Sequence, residues 1–284
     1  MKTTMLHIFR NSPLGRENLM QSAYFCKQQP GMSLVVYVPQ TARFTMNPGG
    51  ELVVVELDES YVRYPSTARQ HVEELLAEFD CPFEFHTPSK HDKSHMPHLP
   101  GHWTMMACPR VITEHSSRLG LGHLGPKVRS LAKLSNFPIF IPSMSFKAWT
   151  NVTAFFGGSK LGAIVVKASL AIARLARVPL TVHTQLNGIT REDCEKSLSA
   201  VGILDTLSDG DIQWRVCDEG TLDENLYAVS HDSLVLVGAA GHKLIRELVF
   251  GSKLEAIQST LPNPLVILGP ECRIPWDLLP EGGA

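Results

Sequence analysis

Apolar residues along this chain fall into two kinds of run that alternate. Short, nearly unbroken runs stand at 4–9, 33–38, 103–108, 139–141, 151–156, 180–185, 212–216, 234–237 and 265–268. Such runs predict strands buried on both faces of a parallel sheet. Between them the apolar spacing changes to that of helices. Leu19, Met20, Ala23 and Cys26 share one side of a segment over 17–27, which Gly31 ends. After Ser66, read as an N-cap, Val72, Leu75, Leu76 and Phe79 recur at i, i+3, i+4 and i+7. The segment 160–177 is apolar nearly all round, which predicts a buried helix. Thr190 with Asp193 forms a capping-box-like start, and Cys194, Leu198 and Val201 give the helix face behind it. A short helix is predicted over 222–229. Strands alternating with helices predict an α/β fold around a parallel sheet.

The stretch from Asp232 to Pro270 organises the rest. The strand at 234–237 runs straight into Gly238 and Gly241, and Gly251 with Ser252 follows at a spacing of G-x2-G-x9-G-S. Leu254, Ile257 and Leu261 then mark a helix, and Pro264 introduces the strand at 265–268. Glycines after a strand let the backbone turn sharply and approach a ligand. Successive amides and a helix start then favour an anion, so the stretch predicts a phosphate site. The plainer reading is that the glycines only serve turns and caps.

Other segments interrupt the alternation. Residues 39–64 form an irregular arm with a turn at Pro48-Gly49-Gly50 and an apolar run over 52–55, read as an extra strand or an interface arm. Five histidines, His86, His91, His95, His98 and His102, crowd the next linker. Imidazoles bind zinc or nickel. Yet Pro88, Pro97 and Pro100 oppose a helix that would present the rings together, and no cysteine pair completes a ligand set, so no metal is expected. The G-x-G-x-x-G match at 120–125 lacks the strand before it and the acid after it, and is not read as a dinucleotide fingerprint.

That match is better explained by repetition. Residues 125–138 lie over 251–264 without a gap: Gly125 on Gly251, Lys127 on Lys253, Pro138 on Pro264, with Val128 and Leu131 on Leu254 and Ile257. Two copies of one unit are expected, divided near 144–150.

Composition narrows the function classes. A chain of 284 residues with 44% hydrophobic and 19% charged residues can bury a large core. A net charge of −2 gives no reason to expect nucleic acid or an acidic membrane as partner. No apolar run reaches spanning length, since Lys167, Arg174 and Arg177 interrupt the longest. The start, MKTTMLHIF, lacks a secretory pattern, and six scattered cysteines with no C-x-x-C fit a reducing compartment. A cytoplasmic protein is expected.

The element order, the repetition and the glycine spacing together resemble a tandem universal stress protein. The resemblance implies two repeats of a five-stranded parallel α/β fold, over 1–146 and 147–284. It implies ATP, ADP or AMP, with or without Mg2+, at the sheet's carboxyl edge, the location expected for open α/β sheets. The nucleotide-binding set is then Gly157, Gly238, Gly241, Gly251 and Ser252. ATP-binding members usually carry an aspartate at the end of the first strand; here Arg10 and Gly157 stand there. The first copy also lacks glycines after its fourth strand, where Cys108, Pro109 and Arg110 stand, so it is expected to be structural. The role implied is a stress-response regulator with a nucleotide in the second repeat and an unidentified protein partner. The alternatives are a scaffold that binds no nucleotide, or a slow ATPase. No catalytic residue is assigned, because His242 and Lys243 beside the glycine loop form no nucleophile or base motif. Family members commonly dimerise through their last strands. Here the strands at 138–141 and 264–268 are expected to pair antiparallel within one chain as an intrachain pseudo-dimer. A further homodimer, through the arm at 39–64, stays open.

Overall fold

The computed structural model describes residues 2–90, 96–110, 124–186, 188–208, 212–239 and 261–273. The chain opens with β1 (Thr3–Ile8), α1 (Pro13–Lys27) and β2 (Met32–Tyr37). An insertion follows, with β3 (Arg43–Met46), β4 (Val53–Glu56) and a 3-10 turn at Glu59–Tyr61. Then come α2 (Pro65–Ala77), β5 (Phe83–Phe85), β6 (Ser89–Lys90), β7 (Pro97–Leu99), β8 (Met105–Ala107), α3 (Pro126–Leu134) and β9 (Ile139–Ile141). The second half runs β10 (Asn151–Phe155), α4 (Lys160–Ala176), β11 (Leu180–Gln185), α5 (Arg191–Ser199), β12 (Ile212–Cys217) and α6 (Leu222–Leu226). It closes with β13 (Ser233–Gly238) and β14 (Leu265–Leu268).

Among the described residues, ten strands form one sheet in the order β12-β11-β10-β13-β14-β9-β8-β1-β2-β5. Read inward from either edge, each half contributes its third, second, first, fourth and fifth strand. Neighbours pair in parallel except at the seam, where β14 and β9 are antiparallel with Leu265 opposite Ile141, Val266 opposite Phe140 and Ile267 opposite Ile139. This is the pairing that the family resemblance implied for the two proline-led apolar runs. It closes what would be two open edges.

Period-two alternation deals the strand residues to two layers. Met5, Leu34, Val36, Val152, Ala154 and Leu236 face the layer of α1, α2, α4 and α5. Leu6, Ile8, Tyr37, Ile139, Val235 and Val237 face the layer of α3. α4 buries Val165, Val166, Leu170 and Ile172, as its all-round apolar character predicts.

The insertion is the main addition. β3 and β4 form an antiparallel ribbon, β3 pairs with β7, and β7 pairs with β6, giving a small separate sheet. The arm at 39–64 is therefore extra strands. Gly49 of its turn lies against the end of α3, where a Cβ would fall 1.8 Å from the Leu134 carbonyl oxygen.

Several expected boundaries move. The N-cap of α2 is Tyr64 (φ 53°), with no side-chain cap bond, and Ser66 lies inside the helix. Pro65 sets the first helical φ and fixes the start there. The strand expected from Trp103 begins at Met105, because the Trp103 ring leaves the sheet to stack with His102 and meet the edge of His86. β5 carries no apolar run long enough to announce itself. The expected helix at 254–261, and most of the glycine match at 120–125, lie outside the described residues.

Candidate functional site

The sheet order places a topological switch point between β10 and β13. The chain leaves β10 toward β11 on one side and later returns as β13 on the other. At such a point the two strand ends open a crevice at the carboxyl edge.

β10 leads directly into Phe156-Gly157-Gly158-Ser159. The Phe156 amide donates to the His183 carbonyl at 2.9 Å, holding the exit level with β11. Gly158 has φ +72° and a Cβ there would lie 3.0 Å from the Ile189 side chain, so two constraints select glycine. Its carbonyl accepts from the Ser197 hydroxyl at 2.7 Å, tying the turn to α5. Ser159 caps α4, accepting from the Gly162 amide at 3.0 Å. Next to this turn, β13 ends at Gly238, and the Ala239 amide donates to the Leu268 carbonyl at 2.7 Å. Gly157 and Gly238 thus lie at the ends of adjacent parallel strands, beside a helix N-terminus. Gly241, Gly251 and Ser252 lie outside the described residues.

The same turn occurs at the end of β1. Phe9-Arg10-Asn11-Ser12-Pro13-Leu14-Gly15 matches Phe156 to Gly162 in phenylalanine, serine, leucine and glycine. The Phe9 amide donates to the Tyr37 carbonyl at 2.9 Å, and Ser12 caps α1 by accepting from the Gly15 amide at 3.1 Å. This F-x-x-S-x-L-G element was legible as an ungapped repeat, but comparing only 125–138 with 251–264 misses it.

The first-half edge is filled by side chains. The Arg10 guanidinium lies 3.8 Å from the Asp58 carboxylate and over the Tyr61 ring, 5.5 Å from its centroid. Both partners come from the insertion. Asn11 accepts from His71 at 2.9 Å and from Arg16 at 3.3 Å, joining the turn to α2. Beyond β8, Arg110 does not crowd a ligand approach as its position suggests. It is buried and donates to the Asn263 carbonyl at 2.9 Å, across the seam from β14. Burial lowers its pKa to about 10, which leaves it charged.

Burial pushes the thiols of Cys108 and Cys272 up to about 12 and that of Cys194 to about 11, so none supplies a thiolate near neutral pH. Burial, with a smaller contribution from Arg215, holds the His183 pKa down at about 4, so the ring is neutral. The backbone at Gly157 and Gly238 suits a phosphate. A carboxylate to take hydroxyl protons of a sugar is missing at the end of β10. Asp193 stands on α5 next to Cys194, which packs near Gly158, but it accepts from the Thr190 amide and hydroxyl in the α5 cap.

The histidine linker is used structurally where it is described. The His98 ring nitrogen is 3.1 Å from the Thr45 hydroxyl, and His86 and His102 pack on Trp103. Among the described residues, no group of three or more metal-binding side chains forms. His91 and His95 lie outside them. No helix among the described residues is long and apolar enough to cross a membrane.

No family model matches the chain, and no curated protein matches it in sequence. Solved structures match it in shape. A universal stress protein from Archaeoglobus fulgidus superposes with a TM-score of 0.59 at 14% identity, covering 95% of this chain and 97% of that one. A universal stress protein structure from Pseudomonas aeruginosa gives 0.53 at 12% identity over 94% and 93%. The cytoplasmic domain of a prokaryotic cation chloride cotransporter gives 0.51 at 7% identity over 98% and 100%. The chain has the α/β fold of the universal stress proteins. The likeness at these identities is one of fold.

Proposed function

We propose that this chain is a regulatory protein that binds one adenine nucleotide at the carboxyl edge of its second half. The observation that carries the reading is the switch point between β10 and β13, where Gly157 and Gly238 end adjacent parallel strands. Glycine backbone and the start of α4 supply amides and a positive dipole end where a phosphate would sit. Gly241, Gly251 and Ser252 complete the phosphate loop in this reading, on their spacing. The candidates are ATP, ADP and AMP, with Mg2+ as companion to the polyphosphates. The units are 1–146, a structural repeat, and 147–284, the binding repeat. The six free cysteines fit a reducing cytoplasm, and the partner that reads the bound state is a protein.

One observation favours a second reading, a scaffold that binds no nucleotide. The first-strand carboxylate is absent from both halves, as Arg10 and Gly157. A lost acceptor costs about 1–3 kcal/mol of binding, which weakens a site without removing it. Calorimetric titration with ATP, ADP and AMP, with and without Mg2+, separates the two. The binding reading predicts a saturable signal that Gly238→Val abolishes, because a branched side chain blocks backbone approach. No signal up to millimolar nucleotide leaves the scaffold.

A further inference from the structure

A second cavity lies elsewhere, under the small sheet of the first half. It has a volume of about 220 Å³. Val53, Val55 and Leu57 of the insertion form one wall, and Leu131 and Leu134 of α3 form the other. Ile8, Met106 and Cys108 at the ends of β1 and β8 form the floor. Interiors leave few voids larger than a water molecule. This one is bounded by three separate elements and opens to solvent between them. Its mouth is apolar: Val54 and Leu134 are 49% and 41% exposed. An exposed apolar rim around an apolar pocket marks a ligand site more readily than a packing defect.

The polar groups are few and lie together. Lys127 and Ser130 line the pocket from α3, three residues apart and so on one face of the helix with Leu131 and Leu134. The Lys127 ammonium donates to the Glu56 carbonyl at 3.2 Å and lies 3.6 Å from the Glu56 carboxylate. That carboxylate has a second cation, Arg43, at 3.0 Å. Lys127 can therefore turn to a ligand while Glu56 keeps a partner. A cavity of about 150 Å³ accepts benzene, so this one has room for a chain on the order of eight carbons. A polyphosphate finds one ammonium here and no glycine backbone.

We propose that this pocket binds a small apolar carboxylic acid, its chain between β4 and α3 and its carboxylate at Lys127 and Ser130. The site is independent of the nucleotide reading. It makes the insertion over 39–64 a ligand-binding device as well as a cover for Arg10.

The test titrates the full chain with octanoate and with 1-octanol, followed by calorimetry and ligand-observed NMR. Octanoate is expected to bind with a Kd below about 1 mM, and octanol about tenfold more weakly, the worth of one charge-assisted contact. Lys127→Met should bring the two ligands together. Ser130→Trp, at an exposed position, should close the mouth and abolish octanoate binding with the melting temperature nearly unchanged. Ser130→Ala, which removes one hydrogen bond to the carboxylate, should weaken octanoate several-fold and leave octanol unchanged. Octanoate binding that survives Ser130→Trp, or no octanoate binding at several millimolar, overturns the site. Equal affinity for octanoate and octanol in the original chain overturns the acid assignment.

Discussion

At the end of β1 stands Arg10, packed on Tyr61 and facing Asp58; at the end of β10 stands Gly157, with no side chain at all. The two turns are otherwise built alike, each with a phenylalanine amide bonded to the second strand and a serine cap three residues before a glycine. What differs is the connection that follows the second strand. Residues 38–64 carry the ribbon of β3 and β4 over the first edge, while residues 186–190 connect β11 to α5 in the other half. The first edge keeps its turn but is covered by the insertion, which leaves an apolar pocket between itself and α3. The same fold thus offers a polar, glycine-lined edge in one half and an apolar pocket in the other.

The largest effect is expected where the halves meet and the comparison should fail. Val266 is fully buried opposite Phe140, so Val266→Asp places a charge in the shared core and should cost more than about 4 kcal/mol in urea unfolding. Val54→Asp, on the exposed face of β4, should cost less than about 0.5 kcal/mol. A loss under about 1 kcal/mol for Val266→Asp would mean that the seam does not unite the two halves.

The paired turns sharpen the comparison. A Cβ on Gly15 would lie 1.9 Å from the Arg10 carbonyl oxygen, which is backbone and cannot step aside. A Cβ on Gly162 would lie 2.9 Å from the ring of the buried Phe156, a side chain rather than backbone. Gly15→Ala should therefore cost about 3 kcal/mol and Gly162→Ala about 1 kcal/mol or less, read from the same unfolding curves. Equal costs would show that the two turns hold their glycines alike.

Among the described residues, the cover over the first edge has no counterpart in the second half. Asp58→Ala removes the carboxylate at Arg10 and the cap on Ser60 N at 2.8 Å. It should cost about 1–2 kcal/mol and leave nucleotide affinity unchanged. A change in nucleotide affinity would place the ligand at the first edge.

Acid exposes a smaller asymmetry. His7 is buried on β1 beside the Ser22 hydroxyl at 2.9 Å, and burial holds its pKa at about 3. The folded form keeps the ring neutral while the unfolded chain protonates it near pH 6.5. This contribution is present above pH 6.5 and is lost as pH falls toward 3, at about 1.4 kcal/mol per unit. His7→Asn keeps a polar partner for Ser22 and should flatten stability against pH between 6.5 and 5.5 by about 1 kcal/mol. An unchanged slope would remove His7 from the acid response.

Much of this was readable before the fold. The strands at 139–141 and 265–268 showed as apolar runs, each introduced by a proline, while their pairing followed from the family resemblance; Gly157 and Gly238 showed as glycines after strands. β5 was hidden because Phe83-Glu84-Phe85 is too short for periodicity to register. The insertion could not be decided, since the ribbon of β3 and β4 joins a larger sheet only through β7, far along the chain. For the same reason Arg10 could be named as a departure while its partners Asp58 and Tyr61 could not. The cap of α2 was misplaced because a serine normally outcompetes a tyrosine as N-cap, yet Pro65 at the first helical position moves the cap back to Tyr64.

The central claim is that the two edges divide the work, nucleotide at one and none at the other. Photolabelling the full chain with 8-azido-ATP, followed by peptide mapping, addresses it directly. The account predicts label confined to peptides from 147–284, approaching one per chain at saturation and displaced by excess ATP. Label in peptides from 1–146 that ATP displaces, or label that ATP does not displace anywhere, would contradict it.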